Sequence, residues 1–131
     1  MSRAPHFPIH LGRVYDPIGA QPGARLLADR LWPRGLSKDA LELAAWVREA
    51  TPSDALRRWY HADPEARRAM FRQRYRAELE GDTGADAACL DWCRRGPVLL
   101  LSAAKDPETS HLPVLRAHLI AKLSKADGAG A

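Results

Sequence analysis

A run of seven uncharged residues, Val98 to Ala104 (VLLLSAA), constrains the fold more than any other part of the chain. Gly96-Pro97 precede the run and Lys105-Asp106 follow it, and a short apolar stretch bounded in this way is typical of a strand. Because polar and apolar side chains do not alternate along it, both faces of this strand are expected to be buried. Such strands occur in parallel sheets covered by helices, so the run predicts an α/β fold.

Two further strands are predicted nearer the N-terminus. Apolar positions alternate from Pro8 to Tyr15, and a short apolar run bounded by charge extends from Ala24 to Asp29. The eight residues between them, 16–23, are rich in turn formers. A link of that length favours a hairpin over a parallel crossover, which usually needs about a dozen residues or more, but the direction of the first strand stays open. The sheet is therefore predicted to be small and largely parallel, or mixed.

Helices are predicted between and after these strands. Ser37 is a suitable N-cap for a helix whose apolar spacing extends to Ala50, although a strand-like alternation from Leu41 to Val47 competes for the same residues. Thr51-Pro52 predicts the start of a second helix, which ends near His61. Three more helices are predicted from Asp63-Pro64 to Gly81, from about Asp86 to Arg95, and from Leu112 to Leu123.

The length of 131 residues suits one domain, which we predict over residues 8–123. Helices are expected to pack around the sheet in a three-layer-like arrangement, with disordered tails at 1–7 and 124–131. No apolar stretch approaches the roughly 20 residues of a membrane-spanning helix, and no secretory signal is visible. Cys89 and Cys93 are four residues apart in a predicted helix, where buried small hydrophobes are the favoured interpretation. A cytoplasmic protein is expected.

The charge of the chain favours anionic partners. Its formal net charge is +4 and its pI is near 9.4. A dedicated nucleic-acid binder usually has a concentrated basic stripe, whereas here arginine pairs such as Arg57-Arg58 and Arg67-Arg68 are interleaved with acids. A small anion is therefore favoured over a nucleic acid, which stays an alternative. The four tryptophans leave a protein-interaction module as another.

Two loops are predicted to carry a site. Ligands of open α/β sheets bind just outside the carboxyl ends of the strands. The second predicted strand is followed by Asp29, Arg30, Arg34 and Lys38, and the last one by Lys105, Asp106, Ser110 and His111. If these strands are parallel, both loops open at the same edge of the sheet. Arg57, Trp59 and His61, near the end of the helix that Thr51 opens, form a third candidate group.

The residue types in these loops predict a cationic cleft for a phosphorylated or carboxylated small molecule. Acid/base catalysis stays open. The familiar hydrolases and dinucleotide enzymes are disfavoured, because no nucleophile elbow, glycine-rich phosphate loop, zinc-type spacing or Rossmann fingerprint is present. No metal ligands are predicted, and the cofactor, reaction and oligomeric state stay open. The predicted ligand-binding residues are Arg30, Arg34, Lys38, Arg57, Lys105, Ser110 and His111, and the candidate acid/base groups are Asp29, His61 and Asp106.

Five segments together resemble a known family. They are RVYD (13–16), ADRLWPRGLSK (28–38), the TPS-LR-WY-H pattern (51–61), FRQRYRAEL (71–79) and LLLSAAKD…H (99–111). The chain is similar to the YeaO-like bacterial proteins, a branch of the family catalogued as domain of unknown function 488. The resemblance implies a compact α/β domain in a bacterial cytoplasm, without an established activity. Other branches carry a Cys-His-Arg turn where this chain has Ser110-His111-Leu112, so a thiol mechanism is not implied and His111 is the polar group shared.

Overall fold

Four parallel strands form the centre of the molecule. The computed structural model describes residues 8–81 and 84–129, with side chains as far as Lys125. The strands are β1 (Ile9–Arg13), β2 (Ala24–Leu27), β3 (Ala45–Trp46) and β4 (Val98–Ser102), in the spatial order β1-β4-β2-β3. Every ladder in this sheet is parallel, and β4 is buried along its whole length. The predicted α/β fold with a largely parallel sheet is confirmed.

The hairpin favoured for the first two strands is wrong. Both β1 and β2 pair with β4, since Ile9 and Ala24 each lie opposite Val98, and the two strands therefore begin at the same edge of the sheet. Residues 14–23 link the two strands and lead the chain from the end of β1 back to the edge where β2 begins. A hydrogen bond from Gln21 Nε2 to the Leu11 carbonyl at 2.6 Å holds this link. Ten extended residues reach about 33 Å, so the return needs no helix.

The helix predicted from Ser37 to Ala50 is wrong beyond its first turn. Ser37 does cap α1 (Lys38–Leu41), accepting a hydrogen bond from the Ala40 N–H, but the chain turns at Glu42 with φ of 47°. It then forms β3, where the Ala44 N–H donates to Arg25 O and the Val47 N–H to Leu27 O. Pairing along the edge of β2 outweighs the helical spacing of these residues. A 3₁₀ turn, Arg48–Ala50, follows β3.

The second predicted helix begins two residues later than expected. Its N-cap is Ser53 and not Thr51, because the Ser53 hydroxyl accepts the Leu56 N–H, while the Thr51 hydroxyl donates to Arg48 O. Glu78 accepts from both the N–H and the hydroxyl of Ser53, which ties this start to the third helix. The described helices after β3 are α2 (Asp54–His61), α3 (Pro64–Gly81), α4 (Ala87–Arg95) and α5 (Leu112–Ala129), with a 3₁₀ turn at Pro107–Thr109.

Helix α5 is described to Ala129, past its predicted end at Leu123. The tail predicted at 1–7 and the last two residues of the tail predicted at 124–131 lie outside the described residues.

The two faces of the sheet are covered differently. Helices α2 to α5 cover one face, with Tyr75 and Leu119 fully buried between them and the strands. The other face carries a smaller core that includes Leu27, Leu99 and Leu101, and α1 with residues 31–43 covers it. Because β2 and β4 are parallel neighbours, the loops that follow them meet at the carboxyl edge of the sheet.

Candidate functional site

A pocket of about 650 Å³ opens at the carboxyl edge of the sheet. Its walls are the segments that follow β1, β2 and β4, together with parts of α2 and α3. Nine of the ten residues predicted for the site line it: Asp29, Arg30, Arg34, Arg57, His61, Lys105, Asp106, Ser110 and His111. The structure thus brings the two predicted loops and the α2 group together around one cavity.

Lys38 is the predicted residue that does not line the pocket. The wall formed by its loop ends at Arg34, and the next residue, Gly35, has φ of 77°. The left-handed conformation of Gly35 turns the chain toward α1, where Lys38 is exposed in the first turn.

Asp29 holds the two loops together. Its Oδ2 accepts the Ala103 N–H at 2.7 Å, and its Oδ1 lies 3.6 Å from His111 Nε2. The side chain is 18% exposed, so this carboxylate is partly desolvated. The hydrogen bond from Ala103 fixes this carboxylate against the loop after β4, with its second oxygen beside His111.

His111 is held in one tautomer. Its Nε2 must carry a proton, because it donates to the carbonyl oxygen of Ala28. Burial lowers the pKa of His111 below its ordinary value; the Asp29 carboxylate and the Ala28 carbonyl act in the opposite direction, and Arg57 adds to the lowering. The imidazole is therefore neutral at pH 7, and its Nδ1 carries a lone pair that can accept a hydrogen bond.

Two of the pocket arginines have roles within the fold. Arg30 Nε donates to Pro52 O at 3.0 Å and lies 3.7 Å from Asp54 Oδ1, so it fastens the loop after β2 to the start of α2. Arg57 contacts the same carboxylate at 3.3 Å. Because Asp54 is more than half exposed, it offsets only part of their charge.

Three other cationic side chains at the pocket are more available to contact a bound anion. Arg34, Arg68 and Lys105 are exposed, and none of their side chains forms an ion pair with another residue in the described ranges. Five cationic side chains line the pocket against the two carboxylates of Asp29 and Asp106, which leaves a surplus of three positive charges. The pocket therefore favours an anion.

Ser110 and Asp106 complete turns of the backbone. The Ser110 hydroxyl donates to Pro107 O at 2.6 Å and accepts the Leu112 N–H at 3.1 Å, so its proton is already used. Asp106 Oδ1 accepts the Glu108 N–H at 3.0 Å. The start of α5 offers few free N–H groups, because those of Val114 and Leu115 return to the carbonyl of His111.

Arg68 and an aromatic wall of the pocket were not predicted from the sequence. Tyr60 stacks on Phe71 with ring centroids 4.2 Å apart, and both line the pocket beside Tyr15 and Trp32. The hydroxyl of Tyr60 bonds to no residue that the structure describes. The available signal was the position of Arg68, three residues before Phe71 on the apolar face of α3.

The tryptophans do not form a shared exposed patch. Trp46 is 38% exposed, and it packs edge-to-face on Trp32 while its Nε1 donates to Asp29 O. Trp59 lies beneath Arg67 and Arg74, and Trp92 beneath Arg95. All four side chains have packing roles within the chain, so a tryptophan-rich interaction surface finds no support in their placement.

The cysteines are free and buried, as interpreted from the sequence. Burial raises the pKa of the Cys89 thiol to about 12 and that of Cys93 to about 11, so both stay protonated at neutral pH. Within residues 8–81 and 84–129, no three His, Cys, Asp or Glu side chains are grouped as metal ligands would be. None of the described helices combines the length and apolar character needed to span a membrane.

Comparison with known proteins places the chain in a family. A family model described as "Inactive DUF488-N3 subclade" matches residues 8–131. The chain belongs to this family. YeaO of Escherichia coli (strain K12) is 40% identical over 107 residues, which cover 82% of this chain and 92% of that protein. The resemblance to the YeaO-like branch of family 488 is thereby confirmed.

Relatives also occur in mycobacteria. Uncharacterized proteins of Mycobacterium bovis and Mycobacterium tuberculosis are each 37% identical over 107 residues, covering 82% of this chain and 89% of theirs. No solved structure matches the chain.

Proposed function

We propose that this bacterial protein binds a phosphorylated or carboxylated small molecule in the pocket at the carboxyl edge of the sheet. The observation that carries the proposal is the surplus of three positive charges among the residues that line the pocket. It includes the side chains of Arg34, Arg68 and Lys105, which form no ion pair with a described residue. Guanidinium and ammonium groups are the usual partners of carboxylate and phosphate oxygens. A cytoplasmic location, predicted from the sequence, is part of this proposal.

The neutral polar groups of the wall suit the rest of such a ligand. His111 Nδ1 can accept a hydrogen bond from a ligand hydroxyl or N–H, and the Tyr60 hydroxyl can donate one. The backbone N–H groups of Lys105 and Asp106, which donate to no described residue, can add to the anion site. The aromatic side chains beside them provide apolar contact.

Binding without turnover is the function that we favour. Two of the three candidate acid/base groups are committed to the fold, since Asp29 accepts the Ala103 N–H and Asp106 accepts the Glu108 N–H. The third, His61, is exposed, and none of the described residues forms a hydrogen bond or ion pair with its side chain. The description of the family subclade as inactive agrees with this choice.

Isothermal titration with inorganic phosphate and with a small dicarboxylate tests the proposal. Lys105→Ala removes a cation from the pocket, while Lys38→Ala is the matched control, since Lys38 is also exposed but lies outside it. Loss of one charge-assisted contact is expected to weaken binding roughly tenfold in Lys105→Ala and leave Lys38→Ala unchanged. No binding of either anion, or equal weakening by both variants, would overturn the proposal.

A further inference from the structure

A row of arginines leads away from the pocket along α3. Arg68, Arg72 and Arg76 follow one another at four-residue intervals, and we call these three residues the α3 strip. Each step advances about 6 Å along the helix. Because Arg68 also lines the pocket, the strip is continuous with the site described above.

No acidic side chain among the described residues forms an ion pair with the strip, although Glu65, Glu78 and Glu80 lie on the same helix. Glu78 is occupied by Ser53, whose N–H and hydroxyl both donate to its carboxylate. Arg72 contacts the backbone carbonyl of Glu108 at 3.5 Å, and Arg68 and Arg76 form no ion pair with a described residue. Like charges at this spacing destabilise a helix, so folding alone does not explain the row.

Other arginines on α3 do have a packing role. Arg67 and Arg74 stack on the Trp59 ring, with the guanidinium carbons 4.8 and 4.1 Å from its centroid. They lie on the flank of α3 that faces α2, whereas Arg72 reaches Glu108 on the opposite flank. The strip is thus distinct from the arginines that hold α2 and α3 together.

Arg116 of α5 extends the positive surface beside the strip. Its Nη2 lies 3.6 Å from Glu108 Oε1, and this carboxylate is exposed. Thr109, the residue after Glu108, lines the pocket, so the contacts of Arg72 and Arg116 border its mouth. A ligand that leaves the pocket at this side meets several cations in sequence.

We infer that the α3 strip binds the phosphate backbone of a single-stranded nucleic acid, one nucleotide of which enters the pocket. This inference rests on the proposed function and names the source of its anion. Cations repeated at a fixed interval beyond the pocket can contact successive phosphates of a chain, one nucleotide of which supplies the phosphorylated group in the pocket. Tyr15 and Tyr60 in the pocket wall suit the stacking of an unpaired base, which a duplex does not present.

Fluorescence anisotropy with a labelled oligothymidylate, measured over a series of salt concentrations, tests the inference. The logarithm of the affinity should fall linearly with the logarithm of the salt concentration, with a slope of roughly −0.7 for each phosphate contact. Arg76→Ala should make this slope shallower by about 0.7, and the double variant Arg72→Ala/Arg76→Ala by about twice that amount. Arg94→Ala is the matched control, because Arg94 is exposed near the end of α4 and precedes the amino edge of β4.

The readouts separate this inference from the proposed function. Arg76→Ala should leave the binding of inorganic phosphate unchanged, because Arg76 lies outside the pocket. Phosphate binding with no oligothymidylate binding, or equal slopes in Arg76→Ala and Arg94→Ala, would overturn the role inferred for the α3 strip. Either result would leave the pocket proposal standing. Tighter binding of a duplex of equal length, or equal binding of polyglutamate, would also overturn the inference. Oligothymidylate binding without phosphate binding would overturn the pocket proposal.

Discussion

The carboxylate of Asp29 accepts a hydrogen bond from the backbone N–H of Ala103 at 2.7 Å, and it thereby joins the loops that follow β2 and β4. These strands are neighbours in the sheet, but the two bonded residues are more than seventy positions apart in the sequence. The second oxygen of Asp29 lies 3.6 Å from His111 Nε2. One side chain therefore sets the relative position of the two loops from which most of the pocket is built.

Replacement of Asp29 is expected to destabilise the fold. Asp29→Ala leaves the Ala103 N–H without its acceptor in a partly buried position, which costs about 1–3 kcal/mol. Asp29→Asn keeps a side-chain oxygen that can accept a hydrogen bond from this N–H, so this variant should lose less stability than Asp29→Ala. Urea denaturation measures both free energies of unfolding. Equal losses in the two variants would contradict the role assigned to the hydrogen bond.

His111 is expected to make stability depend on pH. Its pKa in the folded protein is lowered by burial, while in the unfolded chain it lies near 6.5. The unfolded state therefore binds more protons as the pH falls below this value, so acidification destabilises the native protein. The contribution is at most about 1.4 kcal/mol per pH unit for one proton.

His111→Gln provides the comparison for this pH dependence. The glutamine amide can still donate to Ala28 O but does not titrate, so the variant should lose less stability than the wild type between about pH 7.5 and pH 5.5. The free energy of unfolding, measured by denaturant titration at several pH values, gives both curves. Parallel curves would show that another group determines the dependence.

The sequence predicted the parts of the fold that depend on long, regular patterns. The uninterrupted apolar run identified β4 as a buried strand, and the four-residue spacing of Phe71, Tyr75 and Leu79 identified the buried face of α3. The convergence of Asp29 and Lys105 on one pocket followed from parallel strands, whose carboxyl ends share an edge.

The missed features depend on contacts between distant segments. Ala45 and Trp46 form a strand because the edge of β2 offers backbone partners. The strand-like alternation from Leu41 to Val47 indicated this alternative, but the sequence could not show which pattern would prevail. The hydroxyl of Ser110 is used within its own turn, and Lys38 is turned away after Gly35. The strip on α3 was not predicted either, because Glu78 lies beside these arginines in the sequence, whereas in the structure it accepts hydrogen bonds from Ser53, the N-cap of α2.

Gly23 is expected to tolerate no side chain. It has φ of +116°, and a Cβ atom at this position would lie 2.8 Å from the backbone carbon of Val98. Gly23→Ala combines backbone strain with a clash against β4, so we expect a loss of about 3 kcal/mol or more. Gly35→Ala is the control, because φ is +77° there and nothing lies within 4 Å of the added Cβ.

The comparison of these two glycine variants isolates the clash. Gly35→Ala should lose about 1–2 kcal/mol from strain alone. Thermal or urea unfolding measures both losses. A Gly23→Ala variant no less stable than Gly35→Ala would mean that the link between β1 and β2 shifts freely away from β4.

Asp86 is the centre of a buried polar cluster between the start of α4 and α5. It is 2% exposed, and its Oδ2 accepts hydrogen bonds from His118 Nε2 at 2.6 Å and from Lys122 Nζ at 2.9 Å. Burial by itself would raise the pKa of Asp86, but the hydrogen bonds from Lys122 and His118 outweigh it and lower the pKa below its ordinary value. This carboxylate therefore connects the start of α4 to α5.

Loss of the carboxylate is expected to destabilise the protein more than loss of its exposed partner. Asp86→Ala leaves the buried His118 without its acceptor, at about 1–3 kcal/mol. Lys122 is 45% exposed, so in Lys122→Ala water can take the place of its ammonium group beside Asp86. This variant should therefore lose less than about 1 kcal/mol of stability. Urea denaturation at neutral pH measures both variants. An equal or larger loss in Lys122→Ala would mean that the ion pair, rather than the buried hydrogen bond to His118, joins the two helices.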